Sequence, residues 1–173
     1  LMSLLQDFFT ETEHAFTKHS LTLRYEQTSN QIDKKLRTLL VHLHESAKKL
    51  DSEEALAVQA AVLNFSKIYY NLLRLSHEVE TKVEEDILFS DVAAKEVSEV
   101  MKGTFLLLPH VADALRTGND LVVEHVEKEV KKLKDHAVKA GRMHRDRLCT
   151  GACHPKAAEV FTEMLQHLQD ILW

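Results

Sequence analysis

The segment FTEMLQHLQDILW, which covers residues 161–173, carries its apolar side chains on one face of a predicted helix. These residues lie four, three and three positions apart, the spacing expected when one face of a helix is buried. They are Phe161, Leu165, Leu168 and Ile171. An equivalent set lies 96 positions earlier (161 minus 65) and consists of Phe65, Tyr69, Leu72 and Leu75. The shared spacing indicates that the chain contains an internal duplication.

The composition favours an all-α fold. Of the 173 residues, 45% are hydrophobic and 28% are charged, which suffices for one well-buried domain or two small ones that share a core. The chain has four glycines and two prolines, so the residues typical of turns and hairpins are scarce. The net charge of −5 argues against sequence-independent binding of nucleic acid, which normally requires an excess of basic residues.

Apolar stripes with helical spacing predict three helices in the first half of the chain. The first helix covers residues 2–18, and a polar stretch separates it from a second stripe at residues 32–50. Asp51 and Ser52 offer side-chain oxygens that can cap a third helix, whose first turn contains two glutamates. The stripe of this third helix extends over residues 58–79.

The second half repeats this plan. Ser90 can cap a fourth helix, whose stripe covers residues 97–115 and which ends at the turn residues 117–119. Pro109 is expected to kink this helix. The fifth helix has the most regular stripe, and Pro155 occupies the first turn of the sixth, where a missing amide proton is tolerated.

These six helices predict an all-α fold built from two tandem antiparallel three-helix bundles, because each apolar stripe must be covered by another helix. We expect a single domain over residues 1–173, with internal repeats at approximately 2–86 and 90–173. A fold of this kind does not by itself define a function.

The sequence contains no apolar run of the roughly 20 residues that a membrane-spanning helix needs. It also lacks the pattern of a secretory signal, and two cysteines without a framework fit a reducing compartment, so the cytosol is the expected location. Helical patterns run into both ends of the chain without a cap, which suggests a segment of a longer protein that could itself be bound to a membrane.

The residues with the clearest potential for chemistry lie between the last two helices. Cys149, Cys153 and His154 cluster there, and His144 lies one to two turns upstream. These four side chains could hold zinc, the two cysteines could form a redox-active or disulfide pair, or the segment could be an inert connection. No nucleophile with a base and an orienting group is visible in the sequence. We therefore predict no catalytic or cofactor-binding residues and no enzymatic activity.

Acidic residues are concentrated at the end of the third helix, where negative charge meets the negative end of the helix dipole. They are Glu78, Glu80, Glu84, Glu85 and Asp86. A cation or a basic partner could stabilise them, and a solvated linker is the alternative interpretation.

The duplicated pattern resembles the PhoU family. The segment VEKEVKKLKDHAVKAGRMHRDRLCTGACHPKAAEVFTEMLQHLQDIL, residues 126–172, is similar to the closing part of the PhoU-like domain of bacterial sodium/phosphate cotransporters. A helix there ends in a His-x-x-Arg-Leu element, here His144, Arg147 and Leu148, and a glycine-bearing turn leads to a helix of the FxxxLxxLxxI type. The segments NQIDKKLRTLLVHL, residues 30–43, and NFSKIYYNLLRLSHEVE, residues 64–80, are similar to the first three-helix unit of the family.

This resemblance implies a non-enzymatic domain that regulates or accompanies sodium-dependent phosphate transport through protein–protein contacts. Its expected partner is the membrane portion of a transporter, in the same or a partner chain, and a homodimer is possible. The expected location is the cytoplasm, at the inner face of the cell membrane. A free-standing phosphate-signalling adaptor of the same fold is the first alternative, and a metal-binding helical bundle is the second.

Free-standing PhoU proteins also carry ExxxD motifs whose carboxylates hold iron or zinc. This chain departs from that pattern in its third and sixth helices, where the corresponding residues are Leu73 and His77, then Gln169 and Trp173. The candidates in the second and fifth helices are Ser29 with Asp33 and Glu127 with Lys131. Loss of these motifs is expected of a transporter-attached domain that holds no metal.

Overall fold

The computed structural model describes residues 2–173, except for the side chains of Met2, Leu23 and Arg24. Within this range the chain forms six α-helices and no strand. The helices are α1 (Met2–Lys18), α2 (Leu23–Ala47), α3 (Ser52–Glu84), α4 (Asp91–Thr117), α5 (Asp120–Cys149) and α6 (Pro155–Ile171). The predicted all-α fold is confirmed. None of the helices described has the length and apolar character needed to cross a membrane.

Local capping chemistry explains where most of the helices begin. The carboxylate of Asp51 accepts hydrogen bonds from two backbone N–H groups of α3, and the Ser90 hydroxyl accepts one from α4, as the sequence predicts. The second helix begins before its apolar stripe, within the polar stretch that follows residue 18. It begins there because the Thr22 hydroxyl accepts a hydrogen bond from the N–H of Tyr25 and so caps the helix. Gly118 ends α4 in the left-handed region at φ 60°, and α4 continues through Pro109.

The helices form two three-helix units that pack through equivalent members. Each of α1, α2 and α3 contacts the other two, and the same holds for α4, α5 and α6. Between the units, α3 packs against α6 and α1 packs against α4. Because successive helices alternate in direction, the three connections at residues 19–22, 85–90 and 150–154 meet at one end of the molecule. We call this the connection end.

The core lies where α1 and α6 are sandwiched by the longer helices. All four stripe residues of α6 are buried, and they join buried residues of α1, α3 and α4 in one apolar cluster. The helices α1 and α6 have 17 residues each, whereas α3 has 33 and α5 has 30. A length of about 25 Å cannot cover one of about 50 Å. The α2–α3 and α4–α5 hairpins therefore extend beyond the core at the end opposite the connections.

Two residues of the apolar stripes, which the sequence predicts to be buried, are exposed because of this difference in helix length. Leu50 and Leu115 belong to apolar stripes, yet they are 41% and 62% exposed. Both residues lie in the parts of the hairpins that extend beyond α1 and α6. Helical periodicity identifies an apolar face, but it does not establish that another helix covers that face along its whole length.

Candidate functional site at the connection end

An ion pair between Glu96 of α4 and Arg147 of α5 anchors the connection end. The guanidinium donates two parallel hydrogen bonds, from Nη1 to Oε1 at 3.1 Å and from Nη2 to Oε2 at 2.5 Å. The Glu96 side chain is 11% exposed and that of Arg147 is 20% exposed, so water screens the pair only weakly. This pair ties α4 to the last turn of α5.

Arg147 also orients His144, one turn earlier on α5. Its Nη2 lies 3.3 Å from Nδ1 of His144, and a guanidinium has no acceptor, so Nδ1 must accept and Nε2 must carry the proton. The imidazole is buried and stacks on the ring of Phe161, with centroids 3.9 Å apart. Burial lowers the pKa of His144, and the neighbouring Arg147 lowers it further. His144 is therefore held as a neutral imidazole.

The protonated Nε2 of His144 faces the thiol of Cys153, with Nε2 and Sγ 3.4 Å apart. Because Nε2 is the donor in this contact, it cannot also accept the thiol proton. Protonation at Nδ1 would in turn break the hydrogen bond from Arg147. The geometry therefore makes Cys153 an acceptor for His144 and does not form a thiol–imidazole pair of the kind that activates a nucleophile.

The other two residues of the cysteine–histidine cluster have separate surroundings. His154 uses Nδ1 to accept a hydrogen bond from the N–H of Lys156, and so caps α6. Cys149 is an exposed free thiol. It follows His144 by five residues, which turns it about 140° away around the helix axis. The structure thus brings together His144 and Cys153 but not the predicted four.

A zinc site at this cluster is not supported by the geometry. Over the residues that the structure describes, no three His, Cys, Asp or Glu side chains converge in a way that could hold a metal ion. Four converging ligands would require that side chains close together in the sequence point in the same direction. The end of α5 and the start of α6 direct these side chains apart instead.

A second polar group at the connection end is centred on Lys82, near the end of α3. This lysine is only 5% exposed, and its Nζ lies 2.7 Å from Nδ1 of His19 in the α1–α2 connection. The ammonium also lies over two aromatic rings, 5.4 Å from the centroid of Phe16 and 5.3 Å from that of Phe89. Burial lowers the pKa of Lys82, and the charge of Asp86 partly opposes this effect.

His19 links Lys82 to Asp86. Its Nε2 lies 3.0 Å from Oδ1 of Asp86, so Nε2 donates to the carboxylate and Nδ1 is left to accept from the lysine. Both His19 and Asp86 have positive φ angles, 49° and 51°. Residues other than glycine seldom adopt this conformation, and it is retained where the surrounding structure enforces it. The two connections are thus shaped so that these side chains meet.

A row of aromatic contacts joins the two polar groups. The Phe16 and Phe89 ring centroids are 6.0 Å apart, and those of Phe89 and Phe161 are 5.8 Å apart, both edge to face. Phe161 then stacks on His144. Sequence reasoning missed Lys82 because it lies within the acidic tract at residues 78–86, where its surroundings suggest a solvated linker. The spacing of the sequence gives no signal for a contact with His19, which lies 63 residues away.

Comparisons of this chain with protein-family models, curated proteins and solved structures found no match. The resemblance to PhoU proteins therefore stays a prediction from the sequence.

Proposed function

We propose that this protein is a PhoU-like accessory domain of sodium-dependent phosphate transport, which acts at the inner face of the membrane by contacting the membrane portion of a transporter. The supporting observation is the pairing of equivalent helices, α1 with α4 and α3 with α6, in two three-helix units. A duplicated half predicts such pairing, and the segments that resemble PhoU proteins lie in both units. The proposal needs no catalytic group, and the contact between His144 and Cys153 does not form an activated nucleophile.

Exposed residues of α3 offer a surface for such a contact. Leu56, Leu63 and Tyr70 are 67%, 63% and 47% exposed. They lie seven residues apart, the repeat at which one helix presents a seam to another. We call these three residues the α3 stripe. Because part of α3 extends beyond α1 and α6, a helix of the transporter portion has space to pack along the stripe.

Removing the coding region for residues 1–173 from the native gene tests this proposal. We expect sodium-dependent uptake of radiolabelled phosphate to change severalfold, or to lose its response to external phosphate, and re-expression of the chain to restore it. Uptake that is identical with and without the region, at both low and high phosphate, would contradict the proposal.

Variants of the re-expressed chain test the role of the α3 stripe. Leu56→Gln with Leu63→Gln should fail to restore uptake, although circular dichroism should show a folded protein. The matched control is Leu106→Gln with Leu115→Gln, because these α4 residues are 63% and 62% exposed and lie outside the stripe. Equal restoration by both variants would exclude the stripe as the contact surface.

A further inference from the structure

A cavity of about 310 Å³ opens beside Lys82 at the connection end. Its apolar lining includes Phe16, Leu88 and Phe89, and its polar lining includes Lys82 and Lys95. No carboxylate is among the described residues that line it. An engineered protein cavity of about 150 Å³ holds benzene, so this one has room for a ring or a short aliphatic chain with a polar head.

No carboxylate among the described residues contacts the ammonium of Lys82 directly, and the charge of Asp86 acts on it only across the His19 ring. Its hydrogen-bond partner, Nδ1 of His19, is uncharged when Nε2 donates to Asp86, and its other contacts are the faces of two phenylalanine rings. An ammonium has three N–H donors, and His19 accepts one of them. Buried charges in proteins are normally paired with an opposite charge. Lys82 therefore lacks a directly bonded counter-charge and retains donor capacity next to the cavity.

The Asp86 carboxylate does not supply this counter-charge directly, because it is hydrogen-bonded to the far side of His19. The Asp86 side chain is 85% exposed, so solvent screens its charge. Its structural effect is to fix the His19 ring and, through that ring, the position of Nζ of Lys82. The lysine is thus held in place before any ligand arrives, which reduces the entropy cost of binding.

A second cation and a hydroxyl lie on the α4 side of the same cavity. Lys95 and Ser98 both line it. The Nζ of Lys95 lies 3.8 Å from Oε1 of Glu99, and the side chains are 77% and 45% exposed, so this ion pair is weak and does not prevent Lys95 from pairing with an anion in the cavity. An anion that enters would therefore meet two ammonium groups and a hydroxyl, with apolar side chains behind them.

We propose that this cavity binds a small organic carboxylate, whose carboxyl group pairs with Lys82 and Lys95 and whose apolar body lies against Leu88 and Phe89. Inorganic phosphate fits less well, because it is polar on all sides and would have to lose water against the phenylalanine rings. The inference depends on the surroundings of Lys82 and holds whether or not the chain takes part in phosphate transport.

Isothermal titration calorimetry with benzoate tests the proposal, with acetate and inorganic phosphate as the other probes. We expect benzoate to bind at least tenfold more tightly than either, since it alone fills the apolar part of the cavity. Lys82→Met should weaken benzoate binding at least tenfold and Lys95→Met severalfold. The control Lys102→Met should leave it unchanged, because Lys102 lies on α4, is exposed and does not line the cavity.

Nuclear Overhauser effects between benzoate and the Phe89 ring in the wild-type protein provide a measurement that does not depend on the folding of a variant. Their presence would support the proposed site. No detectable benzoate binding at millimolar concentration, equal binding by a folded Lys82→Met variant, or tighter binding of inorganic phosphate would each overturn it.

Discussion

The ion pair between Glu96 and Arg147 allows a quantitative test of how the connection end is held together. Changing Arg147 to Met removes both N–H donors from a Glu96 side chain that is 11% exposed. Leaving one member of a buried pair alone costs about 3–5 kcal/mol when burial is complete. Because the Arg147 side chain is 20% exposed, we expect the lower end of that range, about 3 kcal/mol.

The double variant Glu96→Leu with Arg147→Met separates the pair interaction from simple loss of packing. It leaves neither charge behind, so it should be more stable than either single variant, with a coupling of at least about 2 kcal/mol. Chemical denaturation followed by circular dichroism measures the free energies of unfolding of the wild-type protein, the two single variants and the double variant. Arg37→Met serves as the control, because Arg37 forms an ion pair with Asp33 on the exposed surface of α2. Loss of that ion pair should change the free energy of unfolding by no more than the experimental error.

Additive effects of the two single substitutions, within about 0.5 kcal/mol, would refute the view that Glu96 and Arg147 act as one buried unit. A control variant that is as unstable as Arg147→Met would likewise show that burial of the pair is not the cause.

Three further substitution and pH experiments follow from the structure. Gly118→Ala should destabilise the protein by about 1 kcal/mol because φ is 60° there, and Gly118→Asn should cost less; equal stability of all three proteins would contradict this. A Cβ at Gly103 would meet Cδ2 of Leu133, the far end of a half-buried side chain that can turn aside, so Gly103→Ala should change the free energy of unfolding by no more than about 1 kcal/mol in denaturation, and a loss of more than about 3 kcal/mol would contradict this. Burial lowers the pKa values of His144 and His167 from 6.5. The two neutral histidines should therefore contribute their full share to the free energy of unfolding above about pH 6.5, and this contribution should be lost as the pH falls through their lowered pKa values. A denaturation midpoint that does not fall between pH 7 and pH 5, or one whose fall is the same in His167→Leu, would contradict that linkage.

Features determined by neighbours in sequence could be predicted well. The stripe that begins at Phe161 is buried over its whole length because α6 is short and lies inside the core. Asp51 and Ser90 cap their helices because an N-cap needs only residues two or three positions away. Periodicity and capping are local properties, so the order and type of the six helices follow from the sequence.

Features that depend on contacts between distant segments could not be predicted. The surroundings of Lys82 are formed by His19 and Phe16, which belong to a different helix and connection. Acidic neighbours in the sequence suggest a solvated surface there, whereas the fold directs this side chain inward. In the same way, Cys149 and Cys153 are close in sequence, yet α5 ends between them and their side chains have different surroundings.

Site-specific photo-crosslinking in living cells tests most directly whether the protein acts as an accessory domain. A photoreactive phenylalanine analogue would replace Leu63 in the α3 stripe, and in a parallel experiment Leu106, which is equally exposed at 63% but lies on α4. The account predicts that the analogue at position 63 becomes crosslinked to the membrane portion of a phosphate transporter, identified by mass spectrometry, and that the analogue at position 106 does not. Crosslinking of position 63 only to a second copy of this chain, or to no protein at all, would contradict it.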